Sequence, residues 1–368
     1  MSDKPVFAVL GAGNGGFVTA ADLSLRGYEV HLFELPEFSA TLEPVIEKGG
    51  IALRGVAGEG LASPEVVTSD IAEALQGADI VLVIVPSFGH KSMAQLCAPH
   101  LTSGDIVVLI PGNFGGALEF RQTLLAHGSP EDVVVAETTS LMYAAKKEGE
   151  NGIWARGLKQ YLPLAALPAH KTDEVLGLLK TVYPQFEAAA NVMETSLGNL
   201  NPIVHPPAML TNVGFIESER IAQWHFYKDG YTQGAGNIAE AMDQERLSLV
   251  RAFRLPEVSA VATLERFYGH QGINGHSLFK VFSDSPVHGA AMGPKTSQSR
   301  MLSEDIPFGL VPYSSLAQML EIPTPTMDAA VTMASVINQT DYRAQGRTVD
   351  SLGLAGMSVQ EILALVNQ

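Results

Sequence analysis

The stretch VFAVLGAGNGGFVTAADLSLRGYEVHLFE, Val6–Glu34, decides the fold. Its first apolar run has the length and composition of a buried strand. FVTAADLSLRG then carries helical spacing that closes at Gly27, and YEVHLFE reads as a second strand. A strand, a tight glycine turn, a helix and another strand make a βαβ unit, in which a helical crossover forces the two strands to run parallel. Working outward, ADIVLVIVP, DIVVLIPG and DVVVAET are further continuous apolar runs of strand length, as expected for strands buried on both faces of a parallel sheet. HKSMAQLCAPHL and GALEFRQTLLAHG supply helices between them. The alternation predicts a Rossmann-type domain with a doubly wound, mostly parallel α/β sheet. GIWARGLKQYLPLAAL is expected to add a pair of strands to that sheet.

From about residue 193 the texture changes. AMLTNVGFIESERIAQWH, GAGNIAEAMDQERLSLVRAF, VSAVATLERFYG, TPTMDAAVTMASVINQ and SVQEILALVNQ carry long helical periodicities, and strand-like runs nearly vanish. The expected organisation is a Rossmann-like domain over residues 1–190 and an all-helical domain over residues 191–368. The charges of DQERLSLVRAF read as a solvated helix face. A length of 368 residues also favours two domains, since single cores stop growing below that size.

A formal charge of -16 argues against nucleic acid or an anionic membrane as partner, because both call for a basic surface. The partner expected is a small molecule. The single cysteine, Cys97, rules out an internal disulfide and suits a reducing cytoplasm. The apolar run near the start is too short for a signal sequence, and no segment reaches the roughly 20 apolar residues of a membrane span. A cytoplasmic enzyme or binding protein is the expectation.

GAGNGG fits G-x-G-x-x-G through Gly11, Gly13 and Gly16. That spacing alone is a weak signal. Here it follows a strand and opens a helix, so the amides around Asn14 and Gly15 can face a pyrophosphate at the helix N-terminus. Gly11 permits the turn, Gly13 lets the backbone approach phosphate, and Gly16 lets helix and strand pack closely. Glu34 supplies the acid expected at the end of the second strand, where it accepts from ribose hydroxyls and repels a 2′-phosphate. No Lys or Arg lies between Glu34 and Lys48, so NAD is favoured over NADP. The strand ends VPSFGH and PGNFGG bring Pro86, Ser87 and Asn113 to the carboxyl edge of the sheet. There each serves either the nicotinamide ribose and substrate or plain turn chemistry.

Among ten histidines no pair has zincin spacing, and one cysteine makes no thiolate cluster, so no metal site is expected. G-x-S-x-G is also missing. Hydride transfer remains, and it needs a group that guides a proton at the carbonyl or imine. His205 in GNLNPIVHPPAML stands ahead of Pro206 and Pro207, which predicts a helix kink or start at the imidazole. A histidine in this role is served by a carboxylate that fixes its tautomer. Asp305, in SRMLSEDIPFGLVPYSSLAQML, is a candidate, with Arg300 five residues upstream. The same segment also reads as a proline-bounded loop with a capping acid and a solvated arginine. His90 in SFGHKS is the competing histidine, either a substrate contact or a helix-entry residue. Trp224, Tyr227 and Tyr231 belong either to an amino-acid pocket or to the core.

At these residues the chain resembles the opine dehydrogenases, and the bacterial norvaline-type branch more than the octopine branch. The resemblance runs nearly end to end through LGAGNGG, DIVLVIVP, PGNFGGALEFR, NPIVHPPAML, SRMLSEDIPFGLVP, IPTPTMDA and DYRAQGRTVDSLGLAG. It implies NAD(P)H-dependent reductive joining of an L-amino acid to a 2-oxo acid, commonly pyruvate. It further implies His205 as the catalytic histidine, Asp305 as its partner and Arg300 as a residue for a substrate carboxylate. Asn201, His90 and Asn113 are the other substrate contacts expected, and a homodimer is the implied assembly. GHQGINGHSLFKVFSDSPVHGA matches poorly, which leaves the amino acid open. Two other readings keep the residues: a simple 2-oxo acid or polyol-phosphate dehydrogenase, and a non-catalytic dinucleotide sensor.

Overall fold

The computed structural model describes residues 4–218 and 223–368. The chain forms two compact units, one of Met1–Gly112 with Gly116–Val192, the other of Asn113–Gly115 with Met193–Gln368.

Among the described residues the first unit holds twelve strands: β1 (Phe7–Leu10), β2 (Val30–Phe33), β3 (Ile51–Gly55), β4 (Gly60–Ala62), β5 (Val66–Thr68), β6 (Ile80–Val83), β7 (Ile106–Leu109), β8 (Val134–Thr138), β9 (Tyr143–Glu148), β10 (Gly152–Leu158), β11 (Leu162–Leu167) and β12 (Phe186–Ala188). The main sheet has eight strands in the order β12-β11-β8-β7-β6-β1-β2-β5. Pairing is parallel from β5 through β8, and β11 joins β8 antiparallel. β1, β2, β6 and β7 are buried along their whole length, which is why their sequences read as unbroken apolar runs. The order reverses at β1, between β2 and β6, so the turn after β1 lies at a topological switch point.

β11 extends this sheet as expected, but β10 does not. β10 belongs to a separate four-stranded sheet, β4-β3-β10-β9, which packs on helix α1 (Asn14–Leu25). The alternating burial of β10 marks a sheet with one covered face, and a residue run cannot say which sheet it joins.

The second unit is helical, and its central long helix is Gln233–Ala252, capped by the Thr232 side chain. Two charges of DQERLSLVRAF are buried rather than solvated. Arg246 donates to Asp243 Oδ1 at 2.8 Å and to the carbonyls of Leu197 and Val258, while Asp243 Oδ2 accepts from Ala260 N. The pair thereby satisfies three backbone groups from two other segments, which offsets the cost of burying two charges. AMLTNVGFIESERIAQWH is not one helix: helices Asn201–Thr211 and Val213–Ile216 cover its first part. Residues 219–222 of that stretch lie outside the described residues.

No helix starts at His205: the helix that carries it begins at Asn201. Helix Asn201–Thr211 continues past Pro206 and Pro207, with Pro202 in its first turn. The prolines still have a consequence, since without N–H groups they leave the carbonyls of Pro202 and Ile203 unserved by the ordinary helical bond. IPFGLVP is likewise not a loop: Ile306–Leu310 is a π-helical turn that runs into helix Val311–Met319. Such turns insert a residue into a helix and re-aim its neighbours.

Candidate active site

In the first unit the glycine turn closes as its spacing requires. Gly11 has φ +108°, a conformation that L side chains avoid, and a Cβ there would meet the Ile84 carbonyl. A Cβ on Gly16 would collide with the Gly11 carbonyl, so helix and strand touch at this point. Gly13, in contrast, faces open space. It begins α1 without a side-chain cap, and no acid stands in the first turn. Uncapped amides, the positive end of a twelve-residue helix and an approach with no Cβ in the way together fit an anionic pyrophosphate.

Glu34 follows β2, and its carboxylate already holds the turn: Oε2 accepts from Ala12 N at 2.8 Å and Oε1 from Leu35 N at 2.9 Å. Each oxygen keeps a second lone pair for a ribose hydroxyl. Asn14 uses its side-chain oxygen to accept from Lys147 N at 2.9 Å, pinning β9 beside the start of α1. Pro86 begins the short turn Ser87–Gly89 that follows β6, and Ser87 is buried. His90 is fully buried at the first position of helix His90–Cys97, with Nδ1 3.2 Å from where a Cβ on Gly116 would stand. Glu137, unremarked in the sequence, is fully buried on β8 and accepts from Ala117 N at 2.8 Å, anchoring the start of helix Gly116–Ala126.

In the second unit His205 and Asp305 meet. Nδ1 lies 2.7 Å from Asp305 Oδ2, and Nε2 lies 2.9 Å from the Tyr227 hydroxyl. An ionised carboxylate can only accept, so Nδ1 carries the proton and Nε2 of the neutral ring accepts from Tyr227. The His205 side chain is 16% exposed and that of Asp305 8%. Burial raises the Asp305 carboxyl above the usual carboxylate range, while the hydrogen bond from His205 works against that. The imidazole therefore stabilises the anion that burial opposes. Tyr227 stacks on Phe282 with centroids 4.8 Å apart and lies 5.0 Å from the His288 ring, so its phenol is held by aromatic packing.

A second polar chain lies in the same unit. Arg300 donates through Nε and Nη2 to Glu304 Oε2, at 2.7 and 2.6 Å, while its side chain stays 64% exposed. Glu304 Oε1 lies 3.4 Å from Asn113 Nδ2, and Asn199 Nδ2 donates to Asn113 Oδ1. Asn199 Oδ1 accepts from Asn201 N at 2.9 Å, at the start of the His205 helix. Asn113 is thus counted with the helical unit. Its backbone is left-handed, φ 55°, which asparagine tolerates better than most residues. Glu304 and Asn199 had no signal in the sequence beyond adjacency to Asp305 and Asn201.

Comparison with known proteins carries this geometry further. Residues 188–338 match the family model described as NAD/NADP octopine/nopaline dehydrogenase, alpha-helical domain, and residues 7–166 match that of ketopantoate reductase PanE/ApbA. An opine dehydrogenase of Arthrobacter sp. (strain 1C) is 34% identical over 100% of both chains. The octopine dehydrogenase structure in complex with NADH and agmatine superposes with TM-score 0.79 at 20% identity, covering 99% of this chain and 98% of the other. The octopine dehydrogenase complex with NADH and L-arginine does so with TM-score 0.75, also at 20% identity and with the same coverage. These two share the fold. The class so defined is an NAD(P)-dependent oxidoreductase acting on CH–NH donors, and NAD is the coenzyme that the open turn and Glu34 suit. Within that class the chain belongs to the opine dehydrogenase family.

Proposed function

We propose that the protein reductively condenses an L-amino acid with a 2-oxo acid of the pyruvate type to give an N-(carboxyalkyl)amino acid. The observation that carries this reading is His205, whose two ring nitrogens are engaged by Asp305 and Tyr227. NADH, when bound, would provide the hydride for the former keto carbon. The amides from Gly11 to Gly16 would hold its pyrophosphate, Glu34 would accept from the adenosine ribose, and Pro86 and Ser87 would serve the nicotinamide ribose.

Asp305 fixes the Nδ1–H tautomer, so Nε2 is the nitrogen that moves the proton at the carbonyl oxygen or imine nitrogen. Tyr227, donating to Nε2, keeps that nitrogen an acceptor until a substrate atom takes over the contact. Arg300 holds a substrate carboxylate, with Glu304 fixing the plane of the guanidinium. Asn201, Asn113 and Asn199 form a polar wall on the same unit. We further propose a reducing cytoplasmic location, which suits one buried cysteine, and a homodimer, which light scattering tests. No helix among the described residues is long and apolar enough to cross a membrane.

The test is NADH oxidation with pyruvate, with and without a panel of L-amino acids. Dependence on the amine supports condensation. Oxidation at the same rate without amine would instead assign a simple 2-oxo acid reductase, the activity that the ketopantoate reductase match over residues 7–166 keeps in view.

A further inference from the structure

Lys147 on β9 lies beside the glycine turn although 133 residues separate it from Asn14, to whose side chain its backbone N–H is bonded. Its ammonium sits 3.5 Å above the ring centroid of Phe17, a fully buried residue of α1. The neighbouring acids are taken, Glu148 by Arg54 and Glu150 by Lys48. Burial draws the Lys147 ammonium below the usual lysine range, and the charge of Glu34 works against that. A half-buried ammonium with a ring face beneath it and no ion pair among the described residues is costly to hold. An incoming anion relieves that cost, and the anion this turn fits is phosphate.

We propose that Lys147 binds a phosphate of the dinucleotide. Two phosphates offer this chemistry, the pyrophosphate common to both coenzymes and the 2′-phosphate carried by NADPH alone. In the second case Lys147 offsets the repulsion from Glu34 and gives the chain a use for NADPH that the segment after β2, empty of cations as far as Lys48, does not supply. The inference rests on the glycine turn as the dinucleotide site.

Direct titration of nicotinamide fluorescence with NADH and NADPH tests it on wild type, K147M, K147R and K146M. K147M keeps the aliphatic stem over Phe17, and Lys146 is an exposed neighbour that serves as control. K147M should lose about tenfold or more in affinity. Loss confined to NADPH assigns the 2′-phosphate, and equal loss for both assigns the pyrophosphate. K147R should stay within about threefold of wild type, because it keeps the charge. Unchanged affinities in K147M, or a loss in K147R as large as in K147M, overturn the proposal. Wild type that bound neither coenzyme would sink the dinucleotide reading along with it, whereas normal wild-type binding with an unaffected K147M sinks this inference alone.

Discussion

His205 and Asp305 stand 100 residues apart in the chain, and their side chains meet at 2.7 Å. The helix Asn201–Thr211 carries the imidazole, and the carboxylate sits at the entry of the π-helical turn. Replacing His205 with alanine should lower kcat by about 10²–10⁴-fold. D305N should cost about a hundredfold or more, since an amide can present N–H to Nδ1 and favour the wrong tautomer. NADH affinity should be unchanged in both, as measured by fluorescence titration. Near wild-type turnover in H205A would remove the histidine from the mechanism.

The glycines of the turn should separate by function. Gly13 meets nothing within 4 Å where a Cβ would go, so G13A should fold with a normal melting temperature and bind NADH about tenfold or more weakly. Gly16 has the Gly11 carbonyl in the way, so G16A should lower the melting temperature by several degrees. Calorimetry beside a binding titration distinguishes the two losses.

Lys159 gives a pH dependence with a definite sign. It is buried, donates to the Leu141 carbonyl at 2.7 Å, and burial pushes its ammonium down to about 7 from 10.5. Below about 7 both folded and unfolded chains keep the proton, and the cost of burying the charge is full. Between about 7 and 10.5 the unfolded chain holds a proton that the folded chain has released, so stability from this position rises with pH. The urea midpoint of K159M should therefore exceed that of wild type most at neutral pH, with the gap closing toward pH 10. A gap that widens with pH contradicts the assignment.

Cys97 should be chemically silent. Its thiol is fully buried, and burial pushes it up to about 12. Iodoacetamide at pH 8 should leave the native protein unlabelled and label it fully in denaturant. Rapid native labelling would mean that helix His90–Cys97 opens locally.

What was legible in the sequence was local. The apolar runs of β1, β6, β7 and β8 and the periodicity of Gln233–Ala252 needed only neighbours, as did the strand–turn–helix around Gly11. The placement of β10 needed a partner strand, and Tyr227 needed its contact with His205 before it differed from any core aromatic. The buried Asp243–Arg246 pair looked like ordinary helix surface because its partners, Leu197, Val258 and Ala260, come from distant segments. Pro206 and Pro207 misled for another reason. Packing around a fully buried Ile203 and a nearly buried Val204 and Pro206 can hold a helix that the prolines alone would break.

The short segment Asn113–Gly115 makes the helical unit discontinuous in the chain. Phe114 packs edge-on to Tyr313 with centroids 5.1 Å apart, its carbonyl accepts from the buried Arg347 at 3.0 Å, and Gly115 N donates to Ser196 Oγ. A recombinant fragment beginning at Met193 would lack all three residues, and with them the Phe114 carbonyl that the buried Arg347 guanidinium donates to. The gene therefore has no single cut that liberates this half intact, and chimeras between relatives must exchange the tripeptide together with the carboxyl-terminal portion.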